Sequence, residues 1–275
     1  MNDTRIGFIG GGNMSLAIAG GLIASGVPAN RIIVAEPQKK QREYLAEQLD
    51  GITIEENNSV AAAAVDCLVL ATKPQVLADV CHELAAVVQE NKPLIVSIAA
   101  GVRASDIDTW LGGDLPVVRV MPNQPALLRQ GVSGLYANSR SSSADRESAS
   151  NIMSAVGEVV WVDSESDIDA VTAISGSGPA YFFLLIDMLI KTATDMGLDA
   201  SAARKLAVET AAGAAALATH TSDDMGDLIA RVRSPGGTTA AALDRLEEQD
   251  VRAIFSTALI AARNRAFELA NEANN

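Results

Sequence analysis

The chain opens on Ile6-Gly7-Phe8-Ile9, a short apolar run that passes into Gly10-Gly11-Gly12-Asn13-Met14-Ser15 and then into Met14, Ile18 and Leu22 at helical spacing. A strand that turns on glycines into a helix is the setting in which G-x-G-x-x-G/A binds a dinucleotide, here with Ser15 in the last place. Gly10 lets the chain turn tightly, Gly12 lets backbone approach a pyrophosphate, and small Ser15 permits close packing of helix on strand. The helix N-terminus then meets the anion.

The rest of the N-terminal half keeps to the same plan. Aliphatic runs at Ile32 to Val34, Cys67 to Ala71, Leu94 to Ile98 and Val117 to Val120 alternate with helix-period segments. Strands with helices between them imply right-handed crossovers and a mostly parallel, doubly wound sheet of Rossmann type. Weaker strands are read at Ile52 to Ile54, Gly134 to Ala137 and Val159 to Val162. The Ser-rich patch Ser139 to Glu147 reads as a capped helix start or as a linker.

After Val162 only helices are legible: 167–174, 179–196, 200–219, 223–233, 238–249 and 252–271. The 275 residues suit roughly two domains at about 150 residues each. The expectation is an α/β protein, with a dinucleotide-binding domain over 1–162 and a helical domain over 163–275. In its last helix Phe255, Leu259, Ala262, Ala266 and Leu269 form a narrow apolar stripe, which fits packing on a second subunit or within the chain.

Composition removes several functions. With 34 acidic against 21 basic residues, a net charge of -13 and no basic run, nucleic-acid binding is not expected. Cys67 and Cys81 have no CxxC spacing, so no disulfide framework or zinc site is expected. The polar Met1 to Arg5 leads straight into a strand without a signal-peptide pattern, and the compartment expected is the cytoplasm. The apolar stretch Ala180 to Ile190, broken by Asp187, is too short to span a bilayer and reads as a buried helix. His82 and His220 lack the acid, hydroxyl or metal-ligand company of a catalytic histidine.

The candidate ligand contacts lie in loops beyond strand ends and at helix starts. Glu36 ends the second strand, where a carboxylate can accept bonds from adenine-ribose hydroxyls and favour NADH. Lys39, Lys40 and Arg42 follow at once and would suit a 2'-phosphate. Ala71-Thr72-Lys73-Pro74, Ser97-Ile98-Ala99-Ala100-Gly101 and Met121-Pro122-Asn123-Gln124-Pro125 stand at carboxyl ends of strands, where open α/β sheets bind ligands. Lys73 is either a ligand contact or a surface lysine flanking a helix. Ser175-Gly176-Ser177-Gly178-Pro179 and Ser234-Pro235-Gly236-Gly237-Thr238-Thr239 are Gly-rich helix starts, able to hold a carboxylate or simply well capped.

Taken in order along the whole chain, FIGGGNM, ATKPQ, SIAAG, MPNQP, SGSGPAYFF and SPGGTTAAAL resemble pyrroline-5-carboxylate reductases. The resemblance implies a Rossmann domain, a helical domain that interlocks with its twin, and an active site between the subunits of a homodimer, which in this family often assembles further, as in a decamer. It implies hydride transfer from NADPH, with NADH possible, to the C=N carbon of 1-pyrroline-5-carboxylate, giving L-proline.

Residue by residue, the resemblance carries Ile9, Gly10, Gly11, Gly12, Asn13 and Met14 to the pyrophosphate loop. Glu36 and Asn58 fall on the adenosine side, and Ala71, Thr72, Lys73, Pro74, Ala99, Ala100 and Gly101 in the cofactor cleft. It carries Ser234, Gly236, Gly237, Thr238 and Thr239 to the substrate loop, with the Thr239 hydroxyl on the ring nitrogen as the catalytic contact. Glu165 aligns with a substrate-side acid. Gln124, Arg233 and Glu36 depart from the common pattern, and Glu36 bears on the cofactor preference. Two rivals are a β-hydroxyacid-dehydrogenase-type reductase and a non-catalytic NAD(P) sensor. The first needs a lysine early in the second domain, where Pro179 to Ile190 has none; the second has no need of SPGGTT.

Overall fold

In the computed structural model, which describes residues 3–63 and 65–272, eight strands form one sheet in the order β3-β2-β1-β4-β5-β6-β7-β8. They are β1 (Ile6–Ile9), β2 (Ile32–Ala35), β3 (Thr53–Glu55), β4 (Cys67–Leu70), β5 (Leu94–Ser97), β6 (Val117–Met121), β7 (Gly131–Ala137) and β8 (Gly157–Trp161). All neighbours are parallel except β6 and β7, which run antiparallel. Phe8 pairs with Val34 on one side and Val69 on the other. Both faces of β1, β4 and β5 are buried, so these strands read as unbroken apolar runs.

Helices α1 (Asn13–Ala24), α2 (Lys39–Gln48), α3 (Asn58–Ala62), α4 (Pro74–Asn91), α5 (Ala104–Trp110) and α6 (Ser143–Ser154) follow in sequence. On one face of the sheet α1 and α6 pack Ile18, Leu22, Ile152 and Met153 against Phe8, Val34 and Val69. On the other, α3, α4 and α5 contribute Ala61, Leu77, Leu84 and Ile107 against Ile9, Leu68 and Ile95. The strand order reverses between β1 and β4, and the crevice beyond their carboxyl ends is where such sheets bind dinucleotides.

The chain then runs through α7 (Asp167–Val171), a π-helical turn (Thr172–Gly176), α8 (Gly178–Asp195), α9 (Ala200–Thr219), α10 (Met225–Val232), α11 (Thr238–Glu248) and α12 (Val251–Glu272). Residues 178–261 form one compact unit, and the other described residues form a second around the sheet. The expected border at 162/163 thus lies ahead of the physical division. Two contacts account for this: Gly134 of β7 leaves room that Val171 fills, and Met121 of β6 lies against Gly176. Both contacts tie α7 and the π turn to the sheet.

Two expectations about the apolar segment change. The helical run 167–195 is longer than the stretch 180–190 suggests, and an 18-residue window in it with mean hydropathy 1.5 makes it long and apolar enough to cross a membrane by composition. Nor is α8 a buried helix, since Phe182, Phe183, Leu184, Met188 and Leu189 are all more than half exposed. The unit of 178–261 buries Ala203, Ala207 and Ala240 and leaves its large side chains outside. Small residues bring α8 and α9 together, and an uncovered apolar surface results.

Candidate active site

The glycine turn is built as its sequence requires. Gly10 has φ +98°, and a Cβ there would fall 2.9 Å from the Ala71 carbonyl oxygen. Ser15 donates from Oγ to the Gly10 carbonyl at 2.6 Å, closing the turn onto α1. Glu36 is 7% exposed and braces the same loop, since its Oε2 accepts from Gly11 N–H and its Oε1 from Gln38 N–H, each at 2.9 Å. Gln41 Nε2 donates to the Gly11 carbonyl at 2.6 Å.

Gly12 stands apart. Its backbone is extended, at φ −74° and ψ −178°, as the first cap of α1, and no side chain among the described residues caps that helix. No described atom lies within 4 Å of a Cβ built there. The fold therefore does not need glycine at this position, and the bare backbone there leaves open space. By contrast α3, α6, α9 and α10 are capped by the side chains of Asn57, Ser142, Asp199 and Asp224.

A cavity of about 540 Å³ lies over this loop and collects most of the expected contacts: Gly10, Gly11, Gly12, Asn13, Glu36, Asn58, Ala71, Thr72 and Lys73. Thr72 Oγ1 is buried there without a partner among the described residues. Arg42 is held by the Glu36 and Pro37 carbonyls and by Glu56, and Lys39 pairs at 3.8 Å with Glu43 on the surface. Ile9, Met14, Pro74, Ala99, Ala100 and Gly101 do not line the cavity. Ile9 is interior to the sheet, and Pro74 begins α4. Ala99 is buried just past the end of β5, while Gly101 packs against Leu269 of α12. A bound anion in the cavity, with its charge on the open N-terminus of α1, fits these residues.

Beside the β5–α5 loop sits a buried charge cluster. Arg119, 3% exposed on β6, contacts Glu165 at 3.3 Å and Asp169 at 3.8 Å. Glu165 Oε1 also accepts from Ala104 N–H, at the start of α5, at 2.6 Å. Burial raises the Asp169 carboxyl above its ordinary range, against the lowering effect of Arg119, Arg103 and Arg263. Arg103 donates to Asn271 Oδ1.

In the other unit the Ser234–Thr239 loop leads into α11. Gly237 N–H donates to the Ser234 carbonyl at 3.0 Å, Gly236 has φ +68°, and no described side chain caps α11. Thr239 is half-buried and Thr238 exposed. Arg233 forms an ion pair with Asp244, so its charge is already matched. The segment Ser175 to Pro179 is not an open helix start, because it continues from the π turn into α8, with Ser177 N–H donating to the Thr172 carbonyl and Ser175 Oγ to that of Val171. Lys191, the lysine nearest a hydroxyacid-dehydrogenase position, is exposed and bonded to Asp187. The described residues hold no cluster of metal-ligating side chains.

Sequence reasoning passed over Gln41, Arg119 and Asp169. Arg119 had a signal, a lone guanidinium inside the apolar strand Val117 to Met121. Gln41 and Asp169 look like ordinary helix residues.

The doubly wound sheet, the reversal point and the glycine loop under an open helix start define a dinucleotide-dependent oxidoreductase of Rossmann type. A family model for pyrroline-5-carboxylate reductase dimerisation matches residues 165–269, and one described as NADP oxidoreductase coenzyme F420-dependent matches 5–101. The chain is 46% identical over 272 residues to the pyrroline-5-carboxylate reductase of Pseudomonas aeruginosa, covering 99% of each. Its fold matches the reductase structure from Coxiella burnetii with a TM-score of 0.93 and 42% identity, over 98% of this chain and 99% of that one. It also matches the Plasmodium falciparum enzyme solved with NADP bound, at 0.86 and 26%, over 98% and 99%. The chain belongs to the pyrroline-5-carboxylate reductase family and is an oxidoreductase acting on a C=N bond with a nicotinamide cofactor.

Proposed function

We propose that this chain reduces 1-pyrroline-5-carboxylate to L-proline in the cytoplasm, using NADPH and accepting NADH. The observation that carries the substrate assignment is the start of α11, where Gly237 takes the cap position with no side chain to satisfy the first amides. Those amides, with Ser234, Gly236, Gly237 and Thr238, hold the substrate carboxylate. The Thr239 hydroxyl bonds the ring nitrogen, so the imine is held in one orientation. No strong acid is required when the imine already carries its proton.

Gly10 to Met14 hold the pyrophosphate on the backbone of α1, with Ile9 setting the strand end. Glu36 and Asn58 line the adenosine side. Ala71 to Pro74 and Ala99 to Gly101 wall the nicotinamide side. When bound, the reduced nicotinamide supplies the hydride. Glu36 has a structural task on the Gly11 and Gln38 amides, which favours reading it as a brace of the loop rather than as a ribose ligand. The exposed Lys39 then supplies positive charge for a 2'-phosphate.

The apolar faces of α8, α9 and the first half of α12 are what a second copy covers, in a homodimer that assembles further, as in a decamer. The family's dimerisation model over 165–269 supports this, and it accounts for the exposed apolar side chains Phe182, Phe183, Leu184, Met188 and Leu189 without a membrane.

The test is the initial rate of proline formation from 1-pyrroline-5-carboxylate with NADPH and with NADH, for wild type and Thr239→Val. Wild type turns over, faster with NADPH, and the variant loses about tenfold in kcat/KM, the worth of one hydrogen bond to a charged group. No turnover with either cofactor overturns the assignment, and an unaffected variant removes Thr239 from it.

A further inference from the structure

We propose that Glu165 is a positioning residue, which holds the β5–α5 loop through a hydrogen bond to the first amide of α5. The inference rests on the cofactor reading above, in which Ala99 to Gly101 wall the nicotinamide side. The resemblance makes Glu165 a substrate-side acid, yet its Oε1 is engaged within its own unit.

Helix α5 has Arg103 at its cap position, and no bond from that side chain caps it. The carboxylate of Glu165, distant in sequence, does so instead, accepting from Ala104 N–H at 2.6 Å. A carboxylate at a helix start answers both the unpaired amides and the positive end of the helix dipole. Arg119 fixes the carboxylate from the other side at 3.3 Å and is itself almost wholly buried on β6, in register with Ser97 at the end of β5.

The loop between these points is short. From Ser97 it passes through Ala99, Ala100 and Gly101 to Arg103, with Gly101 at φ +74° packed on Leu269 and Arg103 bonded to Asn271. One end is set by the sheet and the other by Glu165, with the α12 contacts of Gly101 and Arg103 between, so a change in the reach of this side chain shifts the backbone of residues 99–101. The adenosine side, built by Gly10 to Asn13, Glu36 and Asn58, has no share in this network.

Two variants separate reach from charge. Glu165→Gln keeps the length and an oxygen acceptor for Ala104 N–H but loses the charge facing Arg119. Glu165→Asp keeps the charge but is one methylene short. Calorimetric titration of each with NADPH and with 2'-phospho-ADP-ribose, which lacks the nicotinamide, reads the two halves of the site without any turnover. Melting temperatures check that each variant is folded.

The expected result is that Glu165→Asp, by displacing residues 99–101, weakens NADPH binding about tenfold, the worth of one contact of that loop with the cofactor, and leaves the fragment unchanged, while Glu165→Gln binds both like wild type. Equal weakening of both ligands, a loss confined to Glu165→Gln, or wild-type binding by both variants overturns the proposal. So does failure of Glu165→Gln to fold, since the bond to Ala104 would then not suffice. Should the imine prove not to be the substrate, the ratio of the two affinities still reads the loop.

Discussion

Replacing Gly12 by alanine separates what the fold needs from what the ligand needs. In the folded chain the new Cβ meets no described atom within 4 Å, and φ at −74° is open to any residue. Alanine is a poorer cap than glycine, at a cost of about 0.5–1 kcal/mol. Reduced freedom of the unfolded chain returns about 0.4–1 kcal/mol. The two nearly cancel, so Tm should move by less than about 2 °C. Gly10→Ala is the contrast, because φ is +98° and its Cβ would sit 2.9 Å from the Ala71 carbonyl oxygen. Left-handed backbone costs about 1–2 kcal/mol and overpacking about 1–3 kcal/mol, which lowers Tm by roughly 5–15 °C. Binding follows a different order. In the proposed cofactor site a methyl on Gly12 occupies the ground a pyrophosphate oxygen needs, and losing one charge-assisted hydrogen bond costs about 1.5–3 kcal/mol, or roughly 10- to 100-fold in Kd. Thermal melting and NADPH fluorescence titration measure both. If Gly12→Ala binds NADPH like wild type, or melts as low as Gly10→Ala, the reasoning is wrong.

Three further outcomes are expected. Burial pushes the Cys81 thiol up to about 12 and that of Cys67 higher still, so neither should react with a disulfide reagent at pH 8 until denaturant is added; a rapidly titrating native thiol would contradict this. Phe183, 60% exposed on α8, should tolerate Asp within the monomer fold, while light scattering shows the assembly weakened by at least about 30-fold in Kd, from a lost apolar contact of about 1.5–3 kcal/mol plus a buried charge; an unchanged mass would remove this face from the interface. Because burial raises the Asp169 carboxyl in the folded state, the native protein holds that proton more tightly than the unfolded chain, and its contribution to stability is present at acid pH and lost as pH rises through the folded value. The Tm of wild type minus that of Asp169→Asn should therefore grow as pH falls from 7 towards 4, and a difference that shrinks would reverse the sign.

The sheet was legible because its strands are buried on both faces, and Ile6–Ile9, Cys67–Leu70 and Leu94–Ser97 appear in the sequence as unbroken aliphatic text. The glycine loop was legible for a similar reason, since its task is local and each glycine answers to a neighbour or a ligand. The helical segment was harder. Ala180 to Ile190 looks like core because apolar text does not say what covers it, and in the monomer Phe182, Phe183 and Leu184 lie open. The compact unit begins later than the expected border because the contact that ties α7 to the sheet, Val171 in the space beside Gly134, joins residues far apart in sequence.

The helix starts show why the site itself was only half legible. A cap supplied by the preceding residue is written into the sequence, as at Ser142 with Asp145 or Asp199 before α9, and such a start has little left to offer an anion. The starts of α1 and α11 take glycine instead, and the sequence marks them by the absence of a capping side chain. The start of α5 belongs to neither kind. Its amide is answered by Glu165 from the segment after β8, and only the folded chain distinguishes an amide satisfied at a distance from one left for a ligand. A carboxylate in a matching motif can therefore stand near a site without touching its ligand, and its partner, here Ala104 N–H with Arg119 behind it, decides which task it performs.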